Sequence, residues 1–185
     1  MDARIKYSQK AIKTAFMDLL KETPVEKISV TDICRNADIN RATFYKYYEN
    51  PRDLLNKLED ESIDILVSKI RNSNAVGLDA IYSVILNDVK ENFSFYKLVF
   101  VDHSDDNFRK KLLDACHDTE IREIKKFFPA ISQRQCEWLF YFIAEGCIGI
   151  FKEWVNGEVE STIEEMIKFS VDFVGKINEY GKYYK

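Results

Sequence analysis

Residues 29–48 read Ser-Val-Thr-Asp-Ile-Cys-Arg-Asn-Ala-Asp-Ile-Asn-Arg-Ala-Thr-Phe-Tyr-Lys-Tyr-Tyr and contain two helix-start signals, eleven residues apart. In the first signal, Ser29 is expected to cap a helix, with Asp32 as its reciprocal partner. Ile28 and Ile33 then occupy the two positions at which a hydrophobic staple forms across a helix start. A helix that begins after Ser29 is therefore predicted from local signals alone.

The second signal repeats this arrangement. Asn40 is expected to cap a second helix, and Ile39 and Phe44 form its staple. Between the two helices, residues 36–38 must reverse the chain. Asp38 is expected in the left-handed conformation, which Asp tolerates better than most residues. The stretch therefore predicts two short helices joined by a tight turn.

The second helix carries an unusual set of side chains. Phe44 and Tyr48 lie four residues apart and are expected to pack inward together. The other directions hold Arg, Thr, Lys and two Tyr side chains, which suit a DNA major groove better than a solvated surface. Arg reads guanine edges there, while Thr, Tyr and Lys hold phosphates. An ordinary helical hairpin with aromatic ends is the alternative interpretation.

The segment around this stretch resembles the DNA-binding domain of the TetR/AcrR family of bacterial transcriptional regulators. The resemblance covers residues 10–58 and rests on Ala11, Ala15, Phe16 and Leu19, on residues 28–33 and 37–48, and on Asp53-Leu54-Leu55. It implies a helix-turn-helix head in which Arg41 and Lys46 reach bases. The full set of DNA-binding residues is expected to be Ser29, Thr31, Asn40, Arg41, Ala42, Thr43, Tyr45, Lys46, Tyr47 and Arg52.

Two positions depart from the family pattern. Asp38 stands where the family usually has Gly, and the left-handed tolerance of Asp accommodates that change. Pro51 stands where the family often has a phosphate-contacting Lys. The neighbouring Arg52 is the candidate to replace that contact.

Composition indicates a helical chain with a basic end. The 185 residues are 46% hydrophobic and 31% charged, with only six Gly and three Pro. Long segments of helical period that are interrupted by so few Gly and Pro residues predict an all-α protein of about nine helices. The first 48 residues carry more Lys and Arg than Asp and Glu, whereas the whole chain has a net charge of −4. This asymmetry indicates polyanion binding at one end.

Targeting and redox signals are sparse. No apolar run approaches the ~20 residues that span a bilayer, and the polar N-terminus has no signal-peptide core. The four cysteines, Cys34, Cys116, Cys136 and Cys147, lack metal-ligand spacing and are expected to be reduced thiols in a cytoplasmic protein. Residues 102–106 offer a His and three carboxylates, but a helix start is the favoured interpretation of this loop over a metal site. We expect no cofactor, no bound metal and no membrane partner.

The domain organisation follows from the helical pattern and the resemblance together. Helix 1 is expected from about Ser8 to Glu22, after a polar arm of residues 1–7. A helix-turn-helix DNA-binding domain is expected at 1–50, and a helical effector-binding and dimerisation domain at 51–185. Helix 4, expected over 51–71, bridges the two and buries Leu54, Leu55, Leu58, Ile65, Leu66 and Ile70. Later helices are expected at 78–92, 96–101, up to about 128, 133–155 and 161–180.

The last two helices carry apolar side chains around most of their circumference. Such helices are buried on more than one side, and the simplest account is a four-helix interface with a second subunit. A deep monomeric core is the alternative. The expected interface residues are Phe142, Gly146, Gly149, Ile150, Ile163, Ile167 and Val174.

The resemblance also implies a small-molecule effector in the second domain. Aromatic side chains are the candidates to line its pocket, although aromatic stripes are more often simply core. These are Phe93, Tyr96, Phe100, Phe127, Trp138, Tyr141 and Phe151.

The sequence thus predicts a dimeric regulator that binds a palindromic operator in double-stranded DNA. Repression relieved by an unknown effector is the primary expectation, and activation is the alternative within the same family. A helical ligand-binding protein or enzyme is the alternative from another class. Against an enzyme, the sequence shows no nucleophile–base pair, metal-ligand spacing or Gly-rich phosphate loop.

Overall fold

The structure, a computed structural model, describes residues 3–102, 106–156 and 160–181. Within these ranges it contains nine α-helices and no strand, so the predicted all-α fold is confirmed. The helices are α1 (Ala3–Leu20), α2 (Val30–Asn36), α3 (Arg41–Tyr45), α4 (Pro51–Asn72), α5 (Leu78–Glu91), α6 (Phe93–Lys97), α7 (Asp106–Phe127), α8 (Gln133–Val155) and α9 (Ile163–Gly181). None of these helices is both long and apolar enough to cross a lipid bilayer.

The chain forms two compact units, Met1–Ser62 and Ile63–Lys185, and the boundary between them falls inside α4. The functional division at residue 50 stays a prediction. In the second unit, α5 packs on α9 and α7 packs on α8. A 3-10 turn at Val25–Lys27 follows α1, and a π-helical turn at Leu98–Asp102 follows α6.

The first helix begins earlier than predicted. It starts at Ala3, so residues 5–7 are helical and do not form the expected free arm. The apolar stripe explains the difference: Ile5 is half-buried and continues the helical spacing of Ile12 and Phe16, both of which are fully buried. Hydrophobic burial therefore extends the helix by more than one turn.

The α2–α3 segment forms the predicted caps. The Ser29 hydroxyl accepts a hydrogen bond from the Asp32 amide at 3.2 Å, and the Ser29 amide donates to the Asp32 carboxylate at 3.2 Å. The Asn40 side chain accepts from the Thr43 amide at 2.8 Å. Asp38 has a φ of 51°, in the left-handed region as predicted. Each helix start thus satisfies backbone amides that would otherwise lack a partner.

A hydrophobic anchor holds α3 in place. Phe44 is fully buried and Tyr48 nearly so, with ring centroids 5.6 Å apart. Tyr48 lies beyond the end of α3, but its amide still donates to the Phe44 carbonyl at 3.1 Å. That hydrogen bond preserves the helical spacing of the two rings, so they share one inward face.

The buried side of α4 differs from the prediction at Ile65, and the predicted Leu58 is only half-buried. Ile65 is 50% exposed, whereas Ile63 is buried together with Leu66 and Ile70. At 3.6 residues per turn, the stripe set by Leu66 and Ile70 passes through residue 63 rather than residue 65. The expectation that Ile65 packs inward was therefore wrong.

The segment after α5 is helical where a break was predicted. Residues 93–97 form α6, and the π-helical turn replaces the short helix expected at 96–101. The break is confined to Asn92, the first residue of the predicted interruption, with φ −112° and ψ 31°. Tyr96, Phe100 and Phe108 then form an aromatic cluster. The ring centroid of Phe108 lies 6.0 Å from that of Tyr96 and 5.3 Å from that of Phe100.

A buried carboxylate joins α4, α5 and α6. Asp88 is 2% exposed and accepts from Lys69 Nζ at 2.6 Å, from the Tyr96 hydroxyl at 2.6 Å and from the Asn92 amide group at 3.1 Å. Lys69 also contacts Glu91 at 2.6 Å. Hydrogen bonds that Lys69 donates to Asp88 and then to Glu91 raise the pKa of Lys69. A buried charge is tolerated here because its oxygens are paired.

Asp88→Asn should lower the free energy of unfolding by roughly 1–3 kcal/mol, because the new amide group presents a donor to partners that are themselves donors. Glu91→Gln is the matched control, since it alters the exposed partner of the same lysine and should change stability by less than about 1 kcal/mol. Urea unfolding followed by circular dichroism measures both. Equal effects of the two substitutions would contradict the importance of Asp88.

Candidate functional site

The exposed side of α3 and the turn after it form a polar surface, which we call the α3 face. Arg41, Ala42, Tyr45 and Lys46 are exposed, and Thr43 and Tyr47 are half-buried. Residues 39–48 contain no Asp or Glu. The α3 face is therefore cationic and aromatic, with hydrogen-bond donors that point away from a rigid apolar anchor.

The guanidinium of Arg41 is positioned by the neighbouring helix. It donates a hydrogen bond to the hydroxyl of Thr31 on α2. Tyr45 is 57% exposed, and its ring lies edge-on to buried Phe44, with centroids 5.7 Å apart. Both side chains therefore have one fixed contact and one side available to a partner.

Two predicted DNA-binding residues serve as caps in this structure. The side-chain oxygens of Ser29 and Asn40 are engaged with the amides at the starts of α2 and α3. A third, Arg52, forms an ion pair with Glu26 between two exposed side chains. A phosphate that bound Arg52 would compete with this carboxylate.

Lys57 is a contributor that the sequence did not reveal. Its ammonium donates to the Tyr47 carbonyl at 2.9 Å and to Asp53 at 2.9 Å, and lies 5.4 Å from the centroid of the Tyr48 ring. It thereby fixes the end of the α3 face from the first turns of α4. The i, i+4 spacing of Asp53 and Lys57 was the available signal.

A second surface, which we call the aromatic face, lies on α8 and α9. Its members are large apolar side chains that are highly exposed. Their exposed fractions are 64% for Trp138, 49% for Tyr141, 64% for Phe142, 60% for Phe169 and 48% for Phe173. The rings of Phe169 and Phe173 stack with centroids 6.3 Å apart. Phe173 lines a surface groove together with Leu139 of α8, so the two helices present apolar side chains side by side.

The predicted interface residues divide between this surface and the interior. Gly146 is exposed, and beyond the chain neighbours and the backbone of α8 itself, no described residue comes within 4 Å of the position that a Cβ would take at Gly146 or Gly149. Ile150, Ile163 and Ile167 are half-buried. Val174 was assigned to the interface, but it is fully buried in the core of the second unit, because it lies on the side of α9 that packs inward.

A cavity of about 50 Å³ lies between α5, the π-helical turn, α7 and α8. Two of the predicted pocket residues, Phe100 and Phe151, line it together with aliphatic side chains of α5 and α7. Its polar contributions come from Tyr82 and Glu120, and the thiols of Cys116 and Cys147 complete the wall.

The other five predicted pocket residues lie elsewhere. Trp138 and Tyr141 belong to the aromatic face, because the buried side of α8 is set by Cys136, Phe140 and Ile143. Tyr96 stacks behind Phe100 at 6.1 Å, Phe93 packs against Trp154 at 5.5 Å, and Phe127 borders a separate groove beside Asp79.

Glu120 is the ionisable group of the cavity. It is 2% exposed and accepts a hydrogen bond from the Tyr82 hydroxyl at 2.8 Å. Burial raises its pKa to about 7, against the lowering effects of Tyr82 and of the charge on His117. Sequence analysis missed this residue, although the helical spacing of Leu113, Glu120 and Ile124 places it on the buried side of α7.

The two thiols of the cavity are protonated at neutral pH. Burial, followed by the charge of Glu120, raises the pKa of both Cys116 and Cys147 to about 12. Nucleophilic or metal-binding chemistry requires the thiolate. These cysteines therefore act as small apolar wall residues.

His117 lies on α7 three residues before Glu120 and is engaged in ion pairs. Its Nε2 lies 2.7 Å from Glu137 and its Nδ1 lies 3.1 Å from Asp118, and these hydrogen bonds raise its pKa. Among the residues that the structure describes, no group of three or more His, Cys, Asp or Glu could hold a metal ion. The alternative metal loop includes residues 103–105, which lie outside the described residues.

Comparison with known proteins shows that the chain is similar to transcriptional regulators. A family model described as the C-terminal region of transcriptional regulators, TetR_C_8, matches residues 78–175. The activator DhaS of the dhaKLM operon in Lactococcus lactis is 36% identical over 94 residues, which is 51% of this chain and 49% of DhaS. The regulator YxbF of Bacillus subtilis is 36% identical over 63 residues, 34% of this chain and 17% of YxbF. The chain thus spans about half or less of the curated relatives it matches.

Solved structures share the fold along nearly the whole chain. A TetR-family regulator from Syntrophomonas wolfei aligns with a TM-score of 0.74 and 21% identity, covering 94% of this chain and 95% of that one. The fatty acid degradation regulator FadR of Bacillus halodurans aligns with a TM-score of 0.73 and 16% identity, over 90% and 94%. The activator DhaS aligns with a TM-score of 0.68 and 24% identity, over 94% and 97%.

The buried carboxyl of Glu120 predicts a pH-dependent contribution to stability. Its folded-state pKa of about 7 lies above the ordinary value of 4.5. Folding therefore favours the protonated form, and this contribution is present at acid pH and lost as the pH rises through 7. Between pH 5 and pH 8, the free energy of unfolding of Glu120→Gln should fall less than that of the wild type, by roughly 2–3 kcal/mol.

Urea unfolding at both pH values measures this difference. Glu153→Gln is the control, because it makes the same substitution at an exposed position on α8. Parallel pH profiles for wild type, Glu120→Gln and Glu153→Gln would show that burial does not perturb Glu120.

Proposed function

Because the chain belongs to the TetR family of transcriptional regulators, we propose that it binds double-stranded DNA as a homodimer, through the α3 face of each subunit. The observation that carries this proposal is the α3 face itself, a cationic surface on a doubly capped, apolar-anchored helix hairpin. A solvated helix needs no such combination of rigid support and outward Arg, Lys and Tyr side chains. A helix that enters the major groove does.

The side chains of the α3 face suggest a division of roles. Arg41 and Lys46 extend from opposite ends of the face and are proposed to contact base edges, Arg41 bidentately at a guanine. Thr31, Thr43, Tyr45 and Tyr47 are proposed to hold phosphates and set the register. Ser29, Asn40 and Ala42 border the same surface, and Arg52 joins it by exchanging Glu26 for a phosphate.

The aromatic face supports the homodimer. Five large apolar side chains that are about half exposed or more form a patch of the kind that marks a protein interface. Aromatic residues dominate the buried centre of such interfaces. Two-fold symmetry would present two α3 faces to a palindromic operator, with half-sites about 34–36 Å apart. We place this assembly in the cytoplasm.

The direction of regulation has two candidates. Repression relieved by an effector follows from the sequence resemblance. Activation is favoured by one specific observation, because the relative DhaS is an activator. Transcript levels of neighbouring genes in a deletion strain separate them, since loss of a repressor raises those transcripts and loss of an activator lowers them.

The cavity is the proposed effector site, and the structure offers a route from it to α4. Phe100 lines the cavity and stacks on Tyr96, and Tyr96 donates to Asp88, which pairs with Lys69 of α4. A ligand that shifts Phe100 would thereby disturb the contact that fixes α4. Coupling requires that the ligand prefer one of two arrangements of this contact.

Arg41→Ala should weaken binding to the operator by roughly 1–3 kcal/mol and relax its specificity, because the guanine contact is lost. Mobility shifts at two salt concentrations, using DNA upstream of the gene and its neighbours, measure this effect. Arg134→Ala is the control, since it removes an equivalent charge from an exposed position on α8. Unchanged affinity of Arg41→Ala for both operator and random DNA would show that the α3 face is not the reading surface.

Phe142→Glu should raise the dimer dissociation constant at least tenfold, equivalent to about 1.4 kcal/mol, because the interface would bury an unpaired charge. Sedimentation velocity over a concentration series measures the equilibrium. Ile65→Glu is the control, since Ile65 is an exposed apolar residue of α4 outside the aromatic face. If Phe142→Glu formed dimers over the same concentration range as the wild type, the interface would have to lie elsewhere.

A further inference from the structure

We propose that Lys57 is a positioning residue for the α3 face, and that its ammonium holds the carboxyl end of that face in the orientation that reads bases. Lys57 thereby sets the sequence discrimination of the protein without touching DNA. This role rests on the proposed function, because it takes the α3 face as the reading surface. Three features support it: the shortness of α3, the proline that follows it and the contacts of the Lys57 ammonium.

The helix α3 is too short to keep its own end in place. It spans five residues, Arg41–Tyr45, and a helix of that length is not stable by itself. The Asn40 cap holds its start, and the buried ring of Phe44 holds its middle. Beyond α3, the amides of Tyr47 and Tyr48 both donate to the Phe44 carbonyl, at 3.0 and 3.1 Å. The end of the α3 face therefore depends on contacts from outside the helix.

The carbonyl of Tyr47 receives its hydrogen bond from Lys57. In a continuing helix this carbonyl would accept from the amide of residue 51. That residue is Pro51, which has no N–H to donate. The Lys57 ammonium donates to the Tyr47 carbonyl at 2.9 Å instead. A positive charge also suits this end of the helix, where the negative end of the helix dipole lies. Lys57 thus replaces the backbone donor that the proline removes.

A chain of hydrogen bonds ties the turn after α3 to the first turns of α4. The Asp53 carboxylate accepts from the Glu49 amide at 2.9 Å and from the Lys57 ammonium at 2.9 Å. Lys57 in turn donates to Tyr47, so the backbone is held on both sides of the turn. The start of α4 is itself capped, because the Asn50 side chain accepts from the Asp53 amide at 2.9 Å. A shift of the turn would therefore break several of these hydrogen bonds together.

The contacts of the Lys57 ammonium favour a role within the protein over a phosphate contact. An ammonium carries three N–H groups. Two contacts are the hydrogen bonds to Tyr47 and Asp53, and the third is the ring of Tyr48, whose centroid lies 5.4 Å from Nζ. Lys57 also lies six residues after Pro51, roughly 9 Å along α4 from the start of that helix. Its side chain is 51% exposed, so the alternative of a direct phosphate contact needs its own test.

Lys57→Met removes the ammonium and keeps an unbranched side chain of similar length. The ratio of operator affinity to random-DNA affinity should fall roughly three- to tenfold, because the loosened end of α3 misplaces Lys46 and Tyr47. Mobility shifts of the full chain over a series of salt concentrations measure both affinities, at a temperature at which wild type and variant are both folded. Lys57→Arg should restore most of the ratio, because a guanidinium can donate to both Tyr47 and Asp53.

The salt series separates positioning from a phosphate contact. The slope of log affinity against log salt should be equal in wild type and Lys57→Met, whereas loss of a phosphate contact would reduce its magnitude by about 1. Lys13→Met is the matched control, since it removes an ammonium that joins α1 to Glu61 of α4 in the same unit. It should leave the ratio of operator to random-DNA affinity unchanged.

Amide hydrogen exchange tests the mechanism in the absence of DNA. The amides of Tyr47 and Tyr48 should exchange roughly three- to tenfold faster in Lys57→Met, because the end of α3 opens more often. The amide of Ile33 on α2 should keep its wild-type rate. Faster exchange throughout the first unit, with an unchanged ratio of affinities, would show a purely structural role and overturn the proposal.

The same measurements separate this proposal from the proposed function. If the wild type discriminates the operator and Lys57→Met does so equally well, the positioning role alone is overturned. An equal loss of affinity for operator and random DNA with a reduced salt slope would also overturn it, in favour of a phosphate contact. A wild type that binds every sequence alike would overturn the proposed function, and the positioning role with it.

Discussion

The buried carboxylate of Asp88 is the contact on which the arrangement of α4, α5 and α6 depends. It joins Lys69, Asn92 and Tyr96 at distances of 3.1 Å or less. Removing any one partner would leave a buried charge incompletely paired, which is costly in a medium of low dielectric. The same helix, α4, carries Lys57, whose ammonium fixes the end of the α3 face. One helix therefore contains both the contact that secures the second unit and the contact that positions the recognition surface.

Local chemistry explains why the α2–α3 segment was predictable. The Ser29–Asp32 capping box, the Asn40 cap and the left-handed Asp38 all involve partners within four residues in the sequence. Such contacts depend on residue type and spacing, both of which can be read directly. The caps and the turn of the α2–α3 segment could therefore be predicted residue by residue. Lys57 was missed because its carbonyl partner lies ten residues away, beyond the reach of helix-start signals.

The features that could not be predicted from the sequence depend on packing between segments that are distant in the chain. An apolar stripe predicts that a helix is buried, but not which neighbour covers each side. For this reason Trp138, which was predicted to line the pocket, lies on the surface. Val174, which was predicted to lie at the dimer interface, is buried in the core. Glu120 was overlooked because a carboxyl group is ordinarily expected at the surface. The helical spacing of Leu113, Glu120 and Ile124 was the sequence signal that placed it on the buried side of α7.

The burial of the cysteines turns them into natural reporters of motion. Cys34 lies in the core of the first unit, whereas Cys116 and Cys136 lie in that of the second, and all three are less than 10% exposed. A thiol reagent can modify them only when the surrounding structure opens, so labelling rates measure local opening free energies. The two units can then be followed separately in one native sample, without an introduced probe. The order in which these thiols react therefore gives the order in which the two units open.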